Sequence, residues 1–135
     1  MLVHQIMSKP VNTIGPTESI GMAAGLMRKF NVGVLPVVNR QGNVVGIVTD
    51  RDLVLSLPWQ QSGPVEAVMT RQVVHCDPDQ TIQTVAGIMG DHQVRRLTVL
   101  DRRERLVGIV SVGDIAENAS EQLAGQALGE IVETR

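Results

Sequence analysis

Shifted by 62 positions, the sequence lies over itself: "IMSKPV" falls on "VMTRQV" and, without a gap, "GIVTDRDL" falls on "GIVSVGDI". Met7 meets Met69, Pro16 meets Pro78, Ile20 meets Ile82, Ala24 meets Ala86, Met27 meets Met89 and Leu35 meets Leu97. A period held in register over so many positions constrains the fold more than any single motif. Each period is one supersecondary unit with an apolar face that it cannot cover alone, and packing the two together is the natural way to cover both.

Within a period the hydrophobic spacing changes in a readable way. Ile20, Ala23, Ala24 and Met27, like Ile82, Val85, Ala86 and Met89, fall at i, i+3, i+4 and i+7, the stripe of an amphipathic helix. "GPTE" at 15–18 and "DPDQ" at 77–80 suggest helix starts, with Gly15 or Asp77 as N-cap and Pro16 or Pro78 in the first helical position. Two β-branched runs follow in each copy, "VGVLPVV" and "VVGIV" around "NRQGN", then "VRRLTVL" and "LVGIV" around "DRRER", which predict hairpins with strands apolar on both faces. "DRDLVLSL" and "GDIAENA" predict closing helices, and a short first strand is expected near Val11 and Val73. The expectation is an α+β chain of two β-α-β-β-α repeats, 1–57 and 65–117, joined by a 58–64 linker and followed by a helical tail at 118–135. Trp59 in the linker is expected to cover a core edge. In the tail, Leu123, Leu128 and Ile131 suit a helix, but Gly125 and Gly129 each cost about 1 kcal/mol against Ala, so the helix should be frayed or held by a partner.

Composition narrows the function. At 135 residues the chain can bury a real core without metal or disulfide staples. Tyr is absent and Phe and Trp occur once each, which removes the aromatic platforms used to stack single-stranded nucleic acid. A formal charge of −2 lacks the basic excess of a nucleic-acid binder. The apolar runs are strand-sized and the start lacks a signal-peptide plan, so the expectation is a cytoplasmic protein with no membrane partner. Cys76 has no partner for a disulfide and reads as a small buried apolar residue.

No motif of catalysis is present. His4, His75 and His92 lack metal-ligand spacing, and there is no GxxxxGK[ST], GxGxxG or HExxH, so no catalytic or metal residue is assigned. Arg102, Arg103 and Arg105 read as a solvated turn beside Asp101 and Glu104. Arg95 and Arg96 stand in an otherwise apolar strand, which leaves a ligand or interface role and a structural salt bridge equally open. Thr49 with Asp52, and Ser111 with Asp114, sit where a strand gives way to a helix. There a hydroxyl and a carboxylate can hold a phosphate and a ribose diol, or they can simply cap the helix.

Taken together, the two copies "IMSKPV…VGVLPVV…VVGIVTDRDL" and "VMTRQVV…VRRLTVLD…LVGIVSVGDI" closely resemble the cystathionine-β-synthase-type (CBS) domain pair, or Bateman module, over residues 3 to about 117. Small stand-alone CBS-pair proteins look most similar. The resemblance implies repeats packed through their sheets about a pseudo-twofold axis, and clefts for adenosine-containing ligands such as AMP, ADP, ATP, NAD or S-adenosylmethionine. It implies sensing instead of catalysis, no required cofactor, a homodimer and an unknown protein effector. A ligand-free dimerisation scaffold is the alternative. Carried over by position, Asp52 and Asp114 become ribose ligands, Thr49 and Ser111 ribose or phosphate contacts, and Arg51 a phosphate contact. Pro10, Val11 and Val32 in one copy, and Gln72, Val73 and Val94 in the other, become adenine contacts. The second copy carries Val112 and Gly113 in place of Asp50 and Arg51, and Thr98 in place of Pro36, so its phosphate grip would fall to Arg95, Arg96 or a group from elsewhere.

Overall fold

The computed structural model describes residues 1–57 and 62–132, which leaves Trp59 and most of the expected linker outside the described residues. In chain order the elements are α1 (Val3–Ile6), α2 (Ile20–Phe30), β1 (Val34–Val38), β2 (Val44–Thr49), α3 (Asp50–Ser56), a 3-10 turn at Val65–Ala67, β3 (His75–Cys76), α4 (Ile82–His92), β4 (Arg96–Leu100), β5 (Leu106–Ser111), α5 (Val112–Asn118) and α6 (Glu121–Val132). The α+β class and the helix-hairpin-helix order of each repeat are those read from the sequence.

The hairpins repeat to the residue. β1 and β2 pair antiparallel from Val34 opposite Thr49, with an irregularity at Val37/Val38, and β4 and β5 pair from Arg96 opposite Ser111, with one at Val99/Leu100. Their turns are closed alike: Asn39 Oδ1 accepts from the N–H of Gln41 and Asn43, and Asp101 Oδ1 from Arg103 and Arg105. Two local expectations move. α2 and α4 start at Ser19 and Thr81, whose hydroxyls accept from Met22 N–H at 2.9 Å and Thr84 N–H at 3.2 Å. The residues Gly15–Glu18 and Asp77–Gln80 form turns before them, because Ser and Thr stand directly before the first apolar position of each stripe and cap it there. The first strand lies later than Val11 and Val73. His75–Cys76 pairs parallel with β4, and in the first repeat the contact shrinks to one bridge between Ile14 and Val37. Ile14 and Cys76 are the buried residues there, whereas Val11 and Val73 are half-buried.

The packing divides the chain differently from the sequence period. One compact unit is Val11–Val73; the other joins Met1–Pro10 to Val74–Arg135. The head of each period therefore packs with the body of the other. Val3 N–H donates to the Gln80 carbonyl at 3.0 Å, and Val65 N–H donates to the Glu18 carbonyl at 2.7 Å; both valines are completely buried. Further along each head, Ser8 exchanges two backbone hydrogen bonds with Ile109 on β5, and Thr70 exchanges two with Ile47 on β2. The glycine of each repeated "GIV" faces that crossing. A Cβ on Gly46 would reach within 2.9 Å of the Thr70 carbonyl oxygen and nearer still to Met69 Sδ, while one on Gly108 would overlap Met7 Sδ and lie 2.8 Å from its Cγ.

α6 is a formed helix held by its own chain. It lies on α4 and α5, burying Ala124, Ala127 and Ile131 in the core of the discontinuous unit. Gly90 of α4 sits directly beneath the Glu130 side chain. The cost of Gly125 and Gly129 is offset by this packing, and Leu128 points away from the core, exposed.

Because the obstruction at Gly46 includes main chain, Gly46→Ala should cost about 1–3 kcal/mol. Gly108→Ala, opposed by a methionine that can move, should cost less. Urea unfolding of both variants checks the order; a Gly46→Ala protein as stable as wild type would contradict the packing described.

Candidate functional site

Two equivalent corners carry the polar residues singled out in the sequence. In the Val11–Val73 unit, α2 ends at Asn31 in the left-handed conformation (φ 53°), Val32 N–H returns to the Met27 carbonyl at 3.0 Å, and the Gly33 carbonyl accepts from Asp50 N–H at 3.0 Å. This ties the entry of β1 to the first turn of α3 and gathers Val32, Thr49, Arg51 and Asp52. In the other unit Gln93 takes the left-handed position (φ 56°), Val94 N–H meets the Met89 carbonyl at 3.0 Å, and the Arg95 carbonyl accepts from Val112 N–H at 2.9 Å. Val94, Arg95, Ser111 and Asp114 are gathered in the same way.

The hydroxyl and carboxylate at each corner form a reciprocal cap. Thr49 Oγ1 accepts from Asp52 N–H at 3.2 Å and Asp52 Oδ2 from Thr49 N–H at 2.9 Å; Ser111 Oγ accepts from Asp114 N–H at 3.0 Å and Asp114 Oδ2 from Ser111 N–H at 2.9 Å. Capping, one of the two readings open from the sequence, is thus realised in both copies. It also fixes the rotamer of each half-buried aspartate and engages only one oxygen, so Oδ1 of Asp52 and of Asp114 has no hydrogen-bond partner among the described residues.

The amides around these caps differ between the corners. At α3, Asp50 N–H goes to Gly33, Arg51 N–H to Asp50 Oδ1 at 2.8 Å, and Asp52 N–H to Thr49, which engages the whole first turn internally. At α5, Val112 and Asp114 are engaged in the same way, but Gly113 N–H meets no acceptor among the described residues. The Arg51 and Arg95 side chains are exposed, Arg96 is half-buried, and none of the three pairs with a carboxylate among the described residues. Of the expected adenine contacts, Val11, Val32, Val73 and Val94 are half-buried, while Pro10 and Gln72 are exposed. Val11, Gln72 and Val73 belong to the unit of Thr49 and Asp52, and Pro10 to the unit of Ser111 and Asp114.

One polar pair escaped the sequence reading. Thr98 is completely buried in β4, opposite His75 of β3, and its Oγ1 shares a hydrogen bond with His75 Nδ1. The corresponding residues in the first repeat are Pro36 and Thr13, so hydroxyl and imidazole arrive together, each satisfying the other. The signal was available as a polar residue at the centre of an apolar strand, accompanied by a histidine one strand away. Burial lowers the His75 pKa from 6.5, opposed by the nearby Glu104 carboxylate. The adjacent Cys76 thiol is pushed up to about 12, chiefly by burial and further by Asp77, which leaves it protonated and inert. At the hairpin tip, hydrogen bonding from the Arg105 amide is the main cause holding the Asp101 carboxyl below its ordinary range.

Among the described residues, no group of three or more His, Cys, Asp or Glu side chains gathers in a metal-binding arrangement, and no helix is long and apolar enough to cross a membrane.

The family model described as "CBS domain" matches the chain twice, at residues 3–58 and 65–121. The chain is 41% identical over 133 residues to the CBS domain-containing protein YhcV of Bacillus subtilis, covering 96% of this chain and 94% of that protein. Among solved structures it resembles the CBS domain pair of protein MJ0100 in complex with 5′-methylthioadenosine and S-adenosyl-L-methionine, with a TM-score of 0.81, 34% identity and coverage of 90% of this chain and 98% of that one. It also resembles Hypoxic Response Protein I with two coordinated zinc ions, with a TM-score of 0.76, 30% identity and coverage of 87% and 98%.

A depressed His75 pKa means that the unfolded chain binds the proton more readily, so stability should fall as pH drops through the window below 6.5. Melting temperatures between pH 7.5 and 5.5 should decline more steeply in wild type than in His75→Gln. Parallel profiles would remove His75 as the cause.

Proposed function

This chain belongs to the CBS domain family, and we propose that it is a regulatory module that binds an adenosine-containing ligand and reports its occupancy, with no catalysis of its own. The observation that carries this reading is the duplicated aspartate, locked in its cap by one oxygen and offering the other. A carboxylate oxygen already fixed in place can accept from a ribose diol without the entropic cost of ordering a mobile side chain. Val32 and Val94 supply apolar surface beside the two corners for a purine, as do Val11, Val73, Pro10 and Gln72 by position in the family pattern. The ligands held by the MJ0100 domain pair, one a thioether and one a sulfonium of adenosine, support the same chemical class here.

The two corners should treat phosphate differently. At Thr49 the first-turn amides are engaged and Asp50 adds negative charge, which leaves the Arg51 side chain as the phosphate group. At Ser111 the Gly113 amide has no acceptor among the described residues and no acid occupies the Asp50 position, which leaves Arg95 or Arg96 as the phosphate group there. Assembly as a homodimer, delivery of the signal to a protein effector and residence in the cytoplasm complete the reading. A ligand shifts such a module only by binding one of its states better than another.

The test is a thermal-shift and calorimetric panel of adenosine, 5′-methylthioadenosine, S-adenosylmethionine, AMP, ADP, ATP and NAD. The variants are Asp52→Asn and Asp114→Asn, since Asn keeps an acceptor for the cap and removes the charge. A ligand at about 100 times its Kd should stabilise the fold by roughly 2.7 kcal/mol. Each Asn variant should melt like wild type without ligand and lose affinity at one corner. Silence across the whole panel would sink the sensor reading in favour of a dimerisation scaffold; full affinity in both variants would remove the aspartates from the site.

A further inference from the structure

The same kind of atom presses on the glycine at both crossings. A Cβ on Gly46 would overlap Met69 Sδ and one on Gly108 would overlap Met7 Sδ, so each thioether sulfur takes the space of the missing side chain. The six methionines of the chain fall into three environments. Met1 and Met22 are open to solvent, 60% and 48% exposed, whereas Met27 and Met89 are sealed inside the cores of their units at 7% and 0%. Met7 and Met69 lie between these extremes, half-buried at the margins of the two cores. They alone combine partial access from solvent with a sulfur seated at a close backbone contact.

What each sulfur sits beside is the joint between head and hairpin. The residue after each methionine exchanges two main-chain hydrogen bonds with the hairpin, Ser8 with Ile109 at 2.8 and 3.1 Å and Thr70 with Ile47 at 2.8 and 2.9 Å. The Thr70 carbonyl oxygen, already accepting from Ile47 N–H, also lies 2.9 Å from the Cβ position on Gly46, so an oxygen added to Met69 adds bulk and a further acceptor to a gap that a carbonyl already shares. A peroxide oxidises a thioether directly. The sulfur lone pair attacks one peroxide oxygen, the S–O bond forms as the O–O bond breaks, and the proton passes to the departing hydroxide. The products are a sulfoxide and water, the sulfur having lost two electrons and the peroxide gained them. The side chain changes from flexible and apolar to polar and bulkier, and methionine sulfoxide reductases reverse the change.

We propose that Met7 and Met69 form a paired oxidation site, at which conversion of the two thioethers to sulfoxides by a peroxide loosens each head from the hairpin it crosses and reduction seats it again. Pro10 and Gln72 follow these methionines by three residues and are positions proposed above for adenine, so the oxidation state bears on ligand binding. That last step rests on the function proposed above; the oxidation and the release of the heads do not.

The test treats the full chain with hydrogen peroxide and maps the products by mass spectrometry. Met1 and Met22 should convert first, Met7 and Met69 next, and Met27 and Met89 last, with the buried Cys76 unchanged. Conversion of Met7 and Met69 should lower the melting temperature by roughly 4 °C or more and speed hydrogen exchange at the Ile47 and Ile109 amides about fivefold or more. The Met1 and Met22 step should do neither, and methionine sulfoxide reductases should restore both readings. A Met7→Leu/Met69→Leu protein should melt unchanged after peroxide, while Met22→Leu should keep the full drop. The wild-type map decides the matter without any variant: Met7 and Met69 converting only together with Met27 and Met89 means that unfolding, not the crossing, admits the oxidant, and overturns the proposal. Sulfoxides at both positions with no change in melting or exchange also overturn it. Every reading is taken without nucleotide, so a silent ligand panel sinks the sensor reading and leaves this one standing.

Discussion

Everything in this fold is arranged around two places where one strand must pass another with no side chain between them. At Gly46 and Gly108 the head of the opposite period crosses the hairpin, bringing Met69 and Met7 onto the glycine and bonding Thr70 to Ile47 and Ser8 to Ile109. A side chain at either glycine would press on the crossing that seats Val65 beside Glu18 and Val3 beside Gln80, against main chain at Gly46 and against a movable methionine at Gly108. The contact is made from soft material, since a thioether adapts to an irregular gap better than a branched side chain does.

The same economy recurs at the polar corners. Thr49 with Asp52 and Ser111 with Asp114 complete a helix end that would otherwise leave amides unsatisfied, and in doing so they hold a carboxylate still. The cap engages one oxygen of each aspartate and leaves the other open to the binding role proposed above. A change to alanine at either aspartate removes the cap along with the free oxygen, whereas the divergence between the corners, Asp50 and Arg51 against Val112 and Gly113, changes the charge there and leaves the fold alone.

Much of this was legible in the sequence because the repeat supplied two readings of each element. The hairpins, α3 and α5, and the pairing of hydroxyl with carboxylate all follow from residues that recur at the same offset. What escaped had a physical reason. The helix starts were placed at Gly15 and Asp77 because Pro signals a first turn, but Ser19 and Thr81 adjoin the apolar stripe and win the cap. The His75–Thr98 pair joins residues 23 apart in the chain, and only strand pairing reveals it. The seating of α6 was missed because its glycines were weighed by intrinsic propensity, whereas tertiary packing on Ala86 and Gly90 decides the matter.

The exchange of heads also sets an order of events. One unit is a continuous stretch, Val11–Val73, and can close as soon as it is synthesised, from contacts of modest sequence separation. The other is split, with ten residues at the start and the rest after Val73, so the first unit is in effect an insertion looped out of the second. During vectorial synthesis Val3 and Ile6 must wait, apolar and unseated, until β4, β5 and α4 exist to receive them. Val3 and Ile6 are thus made before Val11–Val73 yet seated after it, and the entropy of closing that loop is met only when the second half arrives.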